Sequence, residues 1–587
     1  MPNDSSNYLD DAGRLVVPPG KIVVRMYRQG LGDCFLLCFG GEKSKFVLID
    51  CGVHARQTDG RDRLQTVLAN IFEVTGGELD VVVATHEHAD HLSGVVQKNS
   101  PFLRRAFTIQ QLWLAWTEQP GDQLADKLRE RRATARKIVE RAAETATHTA
   151  AAAPSGLGVE LTALSHQLQA ASDFEQEPDG IDREAAYRLI REVESQSNRS
   201  QTRDLSRFQA NRRSIPADEA VLGAGAAEQD RPTSNELAIG VLLAQARQVK
   251  YCRPGDLLKV NDIENVRVHV LGPPHDEAKL KKDLPSLVRG ETGSDRFKET
   301  YLSSASQSLS FGLSPALGEG LVSRNQYPDD LRNPFDFPRR RHLEFNFPED
   351  EQFDKMPAAT RRMLDQSYFE ARASWRRIDS DWLAASAHLA LNLDSDTNNT
   401  SLVLAFEWEN RVLLFVGDAQ AGNWLSWRDQ KYRDAAGNAT ISIDDLLERT
   451  VLYKVGHHGS QNATLKRDPH TATKEFPLGT PYGLEIMRNI IAMIPVDRQA
   501  AEKSMPSPWE MPYQPLYEQL RERAQRRVLR SDAVPNVRPL PEDAAPDIAP
   551  ESIEFEPVPD LPGAQWRRSE QVLSSDDDPL FYEIIFS

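Results

Sequence analysis

The chain has 587 residues, and its 70 Lys and Arg against 87 Asp and Glu give a formal net charge of -17. Because a single hydrophobic core stops growing at about 250–300 residues, this length excludes one ordinary domain and predicts a core with large insertions or several domains. The acidic balance disfavours nonspecific binding to nucleic acid along a basic track, although it is compatible with a local basic groove. No apolar run approaches the roughly 18–20 residues that span a membrane, so we expect no membrane contact.

The first residues and the cysteines bear on the cellular compartment. Residues 1–6 are polar and lack the basic start and apolar stretch of a signal peptide. The four cysteines form no CxxC pair, which argues against both a disulfide framework and a cysteine zinc site. We therefore expect a cytoplasmic protein.

The first half of a mixed α/β core is predicted after this polar lead. Apolar runs at 22–27, 34–39 and 46–52 are separated by short turns, as in consecutive antiparallel strands, and the third run contains Asp50 near its end. An amphipathic helix over 61–73 then leads into another apolar strand.

That strand runs into three histidines, a glutamate and an aspartate within six residues, His86–His91. Ionisable groups at the end of a buried strand carry a desolvation cost that a divalent metal usually offsets. His86 and His88 can converge on one ion, while Asp90 and His91 turn toward a second. Zinc accepts imidazole nitrogen and carboxylate oxygen, and manganese tolerates them. The pattern predicts two divalent metal ions, zinc or manganese.

Two stretches interrupt the core pattern. Ala, Glu, Arg and Gln at helical spacing predict a helical insertion, and its basic run Lys127–Arg141 is either solvated helix surface or a contact surface for nucleic acid or a protein partner. The core then returns as strands, with His269 on the exposed phase of an alternating run. A second, mixed insertion follows and contains another basic run, Arg339–His342.

In the second half, apolar strands again end in polar residues. One leads to Asp418 and another to the pair His457-His458. One histidine of this pair is predicted to be a metal ligand and the other to face the substrate as a hydrogen-bond donor or general acid. The sequence leaves the order open, and we favour His457 as the ligand and His458 as the catalytic group.

The predicted organisation is a lead (1–20), core first half (21–116), helical insertion (117–234), core strands (235–274), second insertion (275–384), core second half (385–532), Pro- and acid-rich linker (533–565) and closing strand (566–587).

The pattern His86-x-His88-x-Asp90-His91, after an apolar strand, resembles the HxHxDH signature of the metallo-β-lactamase superfamily. The resemblance implies an αββα sandwich that holds two metals with a bridging hydroxide as nucleophile. It also implies that Asp418 bridges both metals, whereas Asp50 orients ligands without binding metal itself.

Three motifs together, Asn398–Leu404, Val416–Ala419 and Lys454–Ser460, resemble the metallo-β-lactamase domain of the ComEC-type DNA-uptake proteins and their soluble relatives. This resemblance implies a phosphodiester hydrolase acting on DNA or RNA, in which Asp90 binds metal and orients the nucleophile while Ser460 helps to cradle the phosphate. Asn399 is a candidate to support the ligands or touch the substrate. Because Asn398–Ser401 lacks the histidine that many members place there, metal 1 would have only His86, His88 and Asp418 and bind more weakly.

Two other functions fit the sequence. The enzyme could hydrolyse small phosphodiesters, such as cyclic nucleotides or phosphorylcholine esters, which need no basic track and suit the acidic net charge. Alternatively, the chain could be the effector subunit of a bacterial immunity system, with a nuclease that stays silent until a partner docks on the insertions.

Overall fold

The computed structural model describes residues 8–152, 177–196, 232–281 except 262 and 264, 359, 396–433, 440–468, 471, 473, 480–502, 509–533, 561, 563–573 and 578–587. The chain divides into two compact units. The first unit contains Met1–Arg131, Asp173–Glu291 and Asp394–Ser587, and the second contains Arg132–Ser172 and Thr292–Leu393. Of the second unit, helical residues 132–152 and residue 359 are described. The strands, core and candidate site below belong to the first unit.

Short apolar runs bounded by glycine and polar turns form the strands, as their β-branched and aromatic composition favours. The strands are β1 (Ile22–Tyr27), β2 (Cys34–Phe39), β3 (Lys45–Cys51), β4 (Glu78–Ala84), β5 (Thr108–Ala115), β6 (Gln248–Cys252), β7 (Leu257–Leu258), β8 (Val266–Gly272), β9 (Val403–Trp408), β10 (Arg411–Phe415), β11 (Lys431–Arg433), β12 (Thr440–Ser442), β13 (Thr450–Lys454), β14 (Arg467–Asp468), β15 (Thr480–Pro481), β16 (Ile491–Ile494), β17 (Val528–Arg530), β18 (Ala564–Arg568) and β19 (Phe581–Phe586).

The helices pack on the sheets or extend from them, and none of those described is both long and apolar enough to cross a membrane. They are α1 (Gly60–Thr75), α2 (Ala89–Val96), α3 (Gln123–Ala152), α4 (Arg183–Gln196), α5 (Ser234–Gln245), α6 (Glu277–Leu280), α7 (Ala421–Ser426), α8 (Ile443–Glu448), α9 (Arg498–Glu502) and α10 (Gln514–Arg523).

Two sheets face each other. The larger has the strand order β18-β19-β1-β2-β3-β4-β5-β6, and the smaller has the order β17-β16-β13-β10-β9-β8-β7. Alternate side chains of a strand point to opposite faces, so Val24 lies in the core between the sheets while Val23 lies in the core under α1, α2 and α5. On the smaller sheet Phe406 faces inward and Ala405 faces the helices α7, α8 and α10. The layers are therefore helix, sheet, sheet and helix, which confirms the predicted αββα sandwich.

The closing strand β19 lies inside the larger sheet, between β18 and β1. It runs antiparallel to β1 with Val24 opposite Ile584. Arg25 and Glu583 form a buried ion pair across these two strands at 2.5 Å. The strand following the predicted linker thus completes the same sheet that the first strand begins.

Two sequence predictions differ from the structure. The range 235–274 was expected to be strands, but its beginning is the helix α5, which is capped by Thr233 and Glu236. That segment is apolar on all sides, so periodicity cannot separate a buried helix from a buried strand. The prediction that His269 is exposed is wrong, since it is fully buried. The second insertion lies almost entirely outside the described residues.

His269 is buried because it binds a carboxylate inside the smaller sheet. Glu407 of β9 accepts contacts from His269 Nε2 at 2.7 Å, Arg267 at 2.8 Å and Arg449 at 2.7 Å. Burial alone would raise the pKa of Glu407, but His269 and Arg449 lower it to about 2. A carboxyl group with a depressed pKa stabilises the fold above its ordinary pKa, and this contribution is lost as the pH falls toward the folded-state value.

We therefore expect Glu407→Gln to lower the free energy of unfolding at pH 7 by about 2 kcal/mol, the worth of hydrogen bonds to a charged group. Urea unfolding should show this difference shrinking as the pH falls from about 4.5 toward 2. The matched control is Glu409→Gln, an exposed partner of Arg411, which should change stability by less than about 0.5 kcal/mol. An equal destabilisation by Glu407→Gln at pH 7 and pH 2.5 would contradict the electrostatic explanation.

Candidate metal centre

The candidate ligands stand where strands of both sheets end. β4 is followed by Thr85 and His86, and α2 carries Asp90 and His91 in its first turn. Asp418 follows β10, and His458 follows β13. Since β10 and β13 are parallel neighbours, their carboxyl ends lie at the same edge of the smaller sheet.

The backbone is strained at several of these positions. Asp50, His457 and His458 have positive φ angles of 54°, 43° and 53°. Side-chain-bearing residues rarely adopt this left-handed conformation, and it persists where surrounding contacts enforce it, often at functional sites. In the turn after β13 it directs the two adjacent histidines to different surroundings.

Four donors converge: Asp90, His91, Asp418 and His458, all fully buried, with ligand atoms within 4.8 Å of one another. His458 Nε2 lies 2.8 Å from Asp90 Oδ2. His91 Nε2 lies 3.2 Å from Asp418 Oδ2 and 3.5 Å from Asp90 Oδ2. Two imidazoles and two carboxylates are the mixed donor set that zinc or manganese accepts.

This group fits a cation for a second reason. Among the described residues, the buried Asp90 Oδ1 accepts no hydrogen bond, and His91 Nε2 and Asp418 Oδ2, although 3.2 Å apart, are not aligned as a hydrogen bond. Buried polar atoms normally have partners, and a cation bound among these atoms would supply one. The residues present therefore fit a divalent metal.

Outer contacts orient both imidazoles. His458 Nδ1 lies 2.6 Å from the carbonyl oxygen of Pro495 and must donate to it, so Nε2 is the ring nitrogen that faces the group and is the one available to a metal. His91 Nδ1 lies 2.8 Å from Asp50 Oδ2. Asp50 also accepts the backbone and hydroxyl hydrogens of Thr85 at 2.8 and 2.7 Å. Such outer contacts fix the tautomer and the ring position of a metal ligand.

The two histidines and the two carboxylates of this group shift one another's pKa values. Burial lowers the pKa of His91, but Asp418 and Asp90 outweigh it and raise the pKa well above its usual value; the pKa of His458 is raised in the same way. Burial alone would raise the pKa of Asp90 and Asp418, but the two histidines hold both values below the usual range. A bound dication would replace these protons, so metal binding should release protons.

His86 and His88 are not part of this convergence. His86 Nε2 lies 3.0 Å from His88 Nδ1, and His86 Nδ1 lies 3.1 Å from the hydroxyl of Thr85. Burial lowers the pKa of His88 to about 3 and that of His86 well below its usual value, so both rings are neutral and chemically suited to a metal. The ring nitrogens nevertheless face each other in this structure.

His457 is not one of the four convergent donors, and its two ring nitrogens contact Ser460 and Asn398. Its backbone N–H donates to Asp418 Oδ1 at 3.0 Å, while its Nδ1 lies 2.8 Å from the hydroxyl of Ser460. Burial lowers its pKa to about 4, so the ring is neutral. The grouping favours His458, and not His457, as the ligand of the pair.

Asn399 has a supporting position. It is fully buried, and its side-chain oxygen accepts the backbone N–H of Gln420 at 3.1 Å and that of Asn423 at 3.4 Å. Gln420 and Asn423 lie two and five positions after Asp418. Asn399 thus fixes the turn that presents Asp418.

Sequence reasoning gave no role to Asp33 and Lys454. The Lys454 ammonium is 1% exposed and contacts Asp33, Asp418 Oδ1 at 3.3 Å and the carbonyl oxygen of Gly417 at 2.8 Å. Burial would lower its pKa, but Asp33 and Asp418 raise it to about 12. A second group of possible ligands, formed by Asp33, Asp50 and His91, thus already has a cation at its edge. The sequence feature that could have identified both residues is a charged side chain close to a glycine-containing turn.

Comparison with known families agrees with this geometry. The family model of the metallo-beta-lactamase superfamily matches residues 27–97, from the end of β1 through α2. The fold is that of a metallo-β-lactamase. The match includes Asp50, Asp90 and His91, while Asp418 and His458 come from the later strands of the same metallo-β-lactamase fold. Members of this superfamily typically bind divalent metals, and the match supports a metal-dependent hydrolase. Comparison with curated proteins gives no match.

Proposed function

We propose that this protein is a cytoplasmic, metal-dependent phosphodiester hydrolase that cleaves DNA or RNA. The observation that carries the proposal is the convergence of Asp90, His91, Asp418 and His458 at the ends of strands from both sheets. The choice of phosphodiesters rests on the ComEC-like motifs, because the ligands alone suit many hydrolases.

A divalent ion in this group would lower the pKa of a water molecule and polarise a phosphate oxygen. The protein residues hold the geometry: Asp50 fixes His91, the carbonyl of Pro495 fixes His458, and Lys454 holds Asp418. Because His458 lies among the donors, we assign the substrate-facing role to His457. Its neutral ring contacts the Ser460 hydroxyl, and the two side chains retain 5% and 7% exposure.

We also propose a second ion at His86, His88 and Asp418. It requires the two ring nitrogens, now 3.0 Å apart, to turn toward Asp418. The segment Asn398–Ser401 supplies no further imidazole. We therefore expect the second ion to bind more weakly than the first.

The alternative substrate is a small phosphodiester, and the first basic run favours it. Lys127 and Arg131 both contact Glu277, and Arg129 contacts Asp126. These three described members of the run share two carboxylates, which offset part of their charge. The other basic run, Arg339–His342, lies outside the described residues.

Replacing each of the two adjacent histidines with alanine tests the roles assigned to them. We expect His458→Ala to lower metal affinity by at least about a hundredfold, as loss of a ligand should exceed the 10–100-fold effect of an outer partner. His457→Ala should retain the metal and lower kcat by about 10²–10³-fold, the usual worth of one positioned hydrogen-bond donor. Metal content after dialysis and steady-state kinetics distinguish these roles. The reverse pattern would restore His457 as the ligand.

The function itself is tested by elemental analysis of the purified protein and by cleavage assays in added zinc or manganese. Substrates are labelled single- and double-stranded DNA, RNA and bis-p-nitrophenyl phosphate. Cleavage of nucleic acid supports the proposal, and turnover of only the small diester supports the alternative. Bound metal without any turnover would point to a missing protein partner, and absence of both metal and turnover would overturn the proposal.

A further inference from the structure

Two loops flank the convergent donors, one from each half of the fold. The first follows β3 and contains Gly52, His54 and Arg56. A Cβ atom at Gly52 would lie only 2.4 Å from the carbonyl carbon of Asp90, so glycine permits this loop to rest directly on the ligand-bearing turn. Ser93 of α2 anchors the same loop, since its hydroxyl accepts the backbone N–H of Val53 at 2.9 Å.

The second loop precedes α10 and contains Trp509 and Pro512. It rests on the turn that carries His458: the backbone N–H of Tyr513 donates to the carbonyl oxygen of Gly459 at 2.8 Å, and a Cβ atom at Gly459 would lie 2.8 Å from Pro512 Cβ. Both loops are therefore positioned by the residues next to metal-ligand candidates.

The loops meet through three side chains. The Arg56 guanidinium lies over the Trp509 ring, with its central carbon 4.4 Å from the ring centroid. The fully buried His54 packs edge-on against Trp509 at 5.3 Å. The backbone N–H of Arg56 donates to His54 Nδ1 at 3.1 Å, which ties the arginine to the histidine. Arg56 and Trp509 are themselves only partly buried.

This stack holds a cation on two loops that rest on the turns carrying Asp90 and His458. A guanidinium stacked on an indole presents its face to the ring, while its N–H donors point outward in its own plane. That planar arrangement matches the two oxygens of a phosphate. Asp90 and Asp418 would repel a polyanion in the absence of metal, so a fixed arginine on a loop that rests on the Asp90 turn has a clear electrostatic use.

We propose that Arg56, held flat by Trp509, binds a phosphate adjacent to the scissile phosphate of a nucleic-acid strand. This inference rests on the proposed phosphodiesterase function and deepens it, because a substrate with a single phosphodiester has no second phosphate to offer. Arg56 is thus a determinant of specificity for a strand over a small diester. Trp509 positions it.

The test measures binding of a fluorescein-labelled single-stranded oligonucleotide by anisotropy, in EDTA and again in an Asp90→Asn background with manganese, so that no cleavage occurs. We expect Arg56→Gln to weaken binding about tenfold and to reduce the slope of log affinity against log salt by about 0.7, the value for one phosphate contact on a single strand. Trp509→Ala should weaken binding similarly, and Trp509→Phe should retain most of it.

The chain offers a matched control in a second arginine–tryptophan stack, Arg411 on Trp408, with a separation of 4.2 Å. It lies at the start of β10, the opposite strand end from Asp418. Arg411→Gln should leave oligonucleotide affinity and its salt slope unchanged. Arg56→Lys keeps the charge without the planar fork, so an intermediate affinity is expected, and thermal unfolding checks that each variant is folded.

Equal affinity and salt slope in Arg56→Gln and the unaltered protein would overturn the inference. Turnover of bis-p-nitrophenyl phosphate without any oligonucleotide binding would also overturn it, while leaving a phosphodiesterase in place. Oligonucleotide binding that depends on Arg56, without hydrolysis of either substrate under any metal, would retain the inferred subsite and count against the proposed function.

Discussion

Asp90→Asn is expected to remove both the tightly bound metal and the hydrolytic activity. The carboxylate supplies one of two negative charges in the four-donor group, and its Oδ2 lies 2.8 Å from His458 Nε2. The amide is nearly isosteric but uncharged, so metal affinity should fall at least about a hundredfold. Elemental analysis after dialysis and hydrolysis of bis-p-nitrophenyl phosphate measure the two effects.

A thermal readout separates loss of metal from loss of fold. In the unaltered protein, metal at 100 times its Kd should add about 2.7 kcal/mol to stability and raise Tm. Asp90→Asn should show no such rise at the same concentration. Asp126→Asn removes an exposed carboxylate in α3 and is the charge-matched control. Unchanged metal stoichiometry in Asp90→Asn would refute the assignment of this residue.

Ending the chain at residue 563 is expected to unfold the protein. This truncation removes β18 and β19, and with them Tyr582, Ile584 and Phe586 from the core between the sheets. Burying each such side chain contributes about 1.5–3 kcal/mol, and Arg25 would lose its buried partner, which costs a further 3–5 kcal/mol. The sum approaches the 5–15 kcal/mol of a typical domain. Circular dichroism and the soluble yield provide the measurement.

Single substitutions measure how much individual residues of this region contribute to the free energy of unfolding. Ile584→Ala should lower the free energy of unfolding by about 2–5 kcal/mol. Val572, between the two closing strands, is 45% exposed, so Val572→Ala should change it by less than about 0.5 kcal/mol. A truncated chain that keeps the original Tm would show that the two strands are dispensable.

Local patterns explain what the sequence could predict. Strands such as β1 to β3 follow from apolar runs between turns, and the spacing of His86, His88, Asp90 and His91 is contained in six residues. The αββα layers are predicted by the resemblance of this motif, at the end of a strand, to the metallo-β-lactamase signature.

The remaining features depend on contacts between distant residues. Whether His457 or His458 joins the donors is decided by backbone torsions and by the carbonyl of Pro495, neither of which is visible in two adjacent identical letters. The alternation of apolar and polar residues predicts that His269 is exposed, because it indicates only on which face of the sheet a side chain lies. It does not reveal the carboxylate of Glu407, which lies on the next strand and binds His269. The sequence indicates only that Lys454 ends a strand. Its contact with Asp33 could not be predicted, because Asp33 is far away in the chain.

The separation of the donors along the chain has a consequence for synthesis. Asp90 and His458 are 368 positions apart, so a ribosome that adds 5–20 residues per second needs about 20–70 s to pass from one to the other. During that interval the nascent chain carries the histidine-rich segment without Asp418 or His458. A half-made chain of this kind cannot assemble the four-donor group, so the candidate metal site is completed only after the second half of the core has been synthesised.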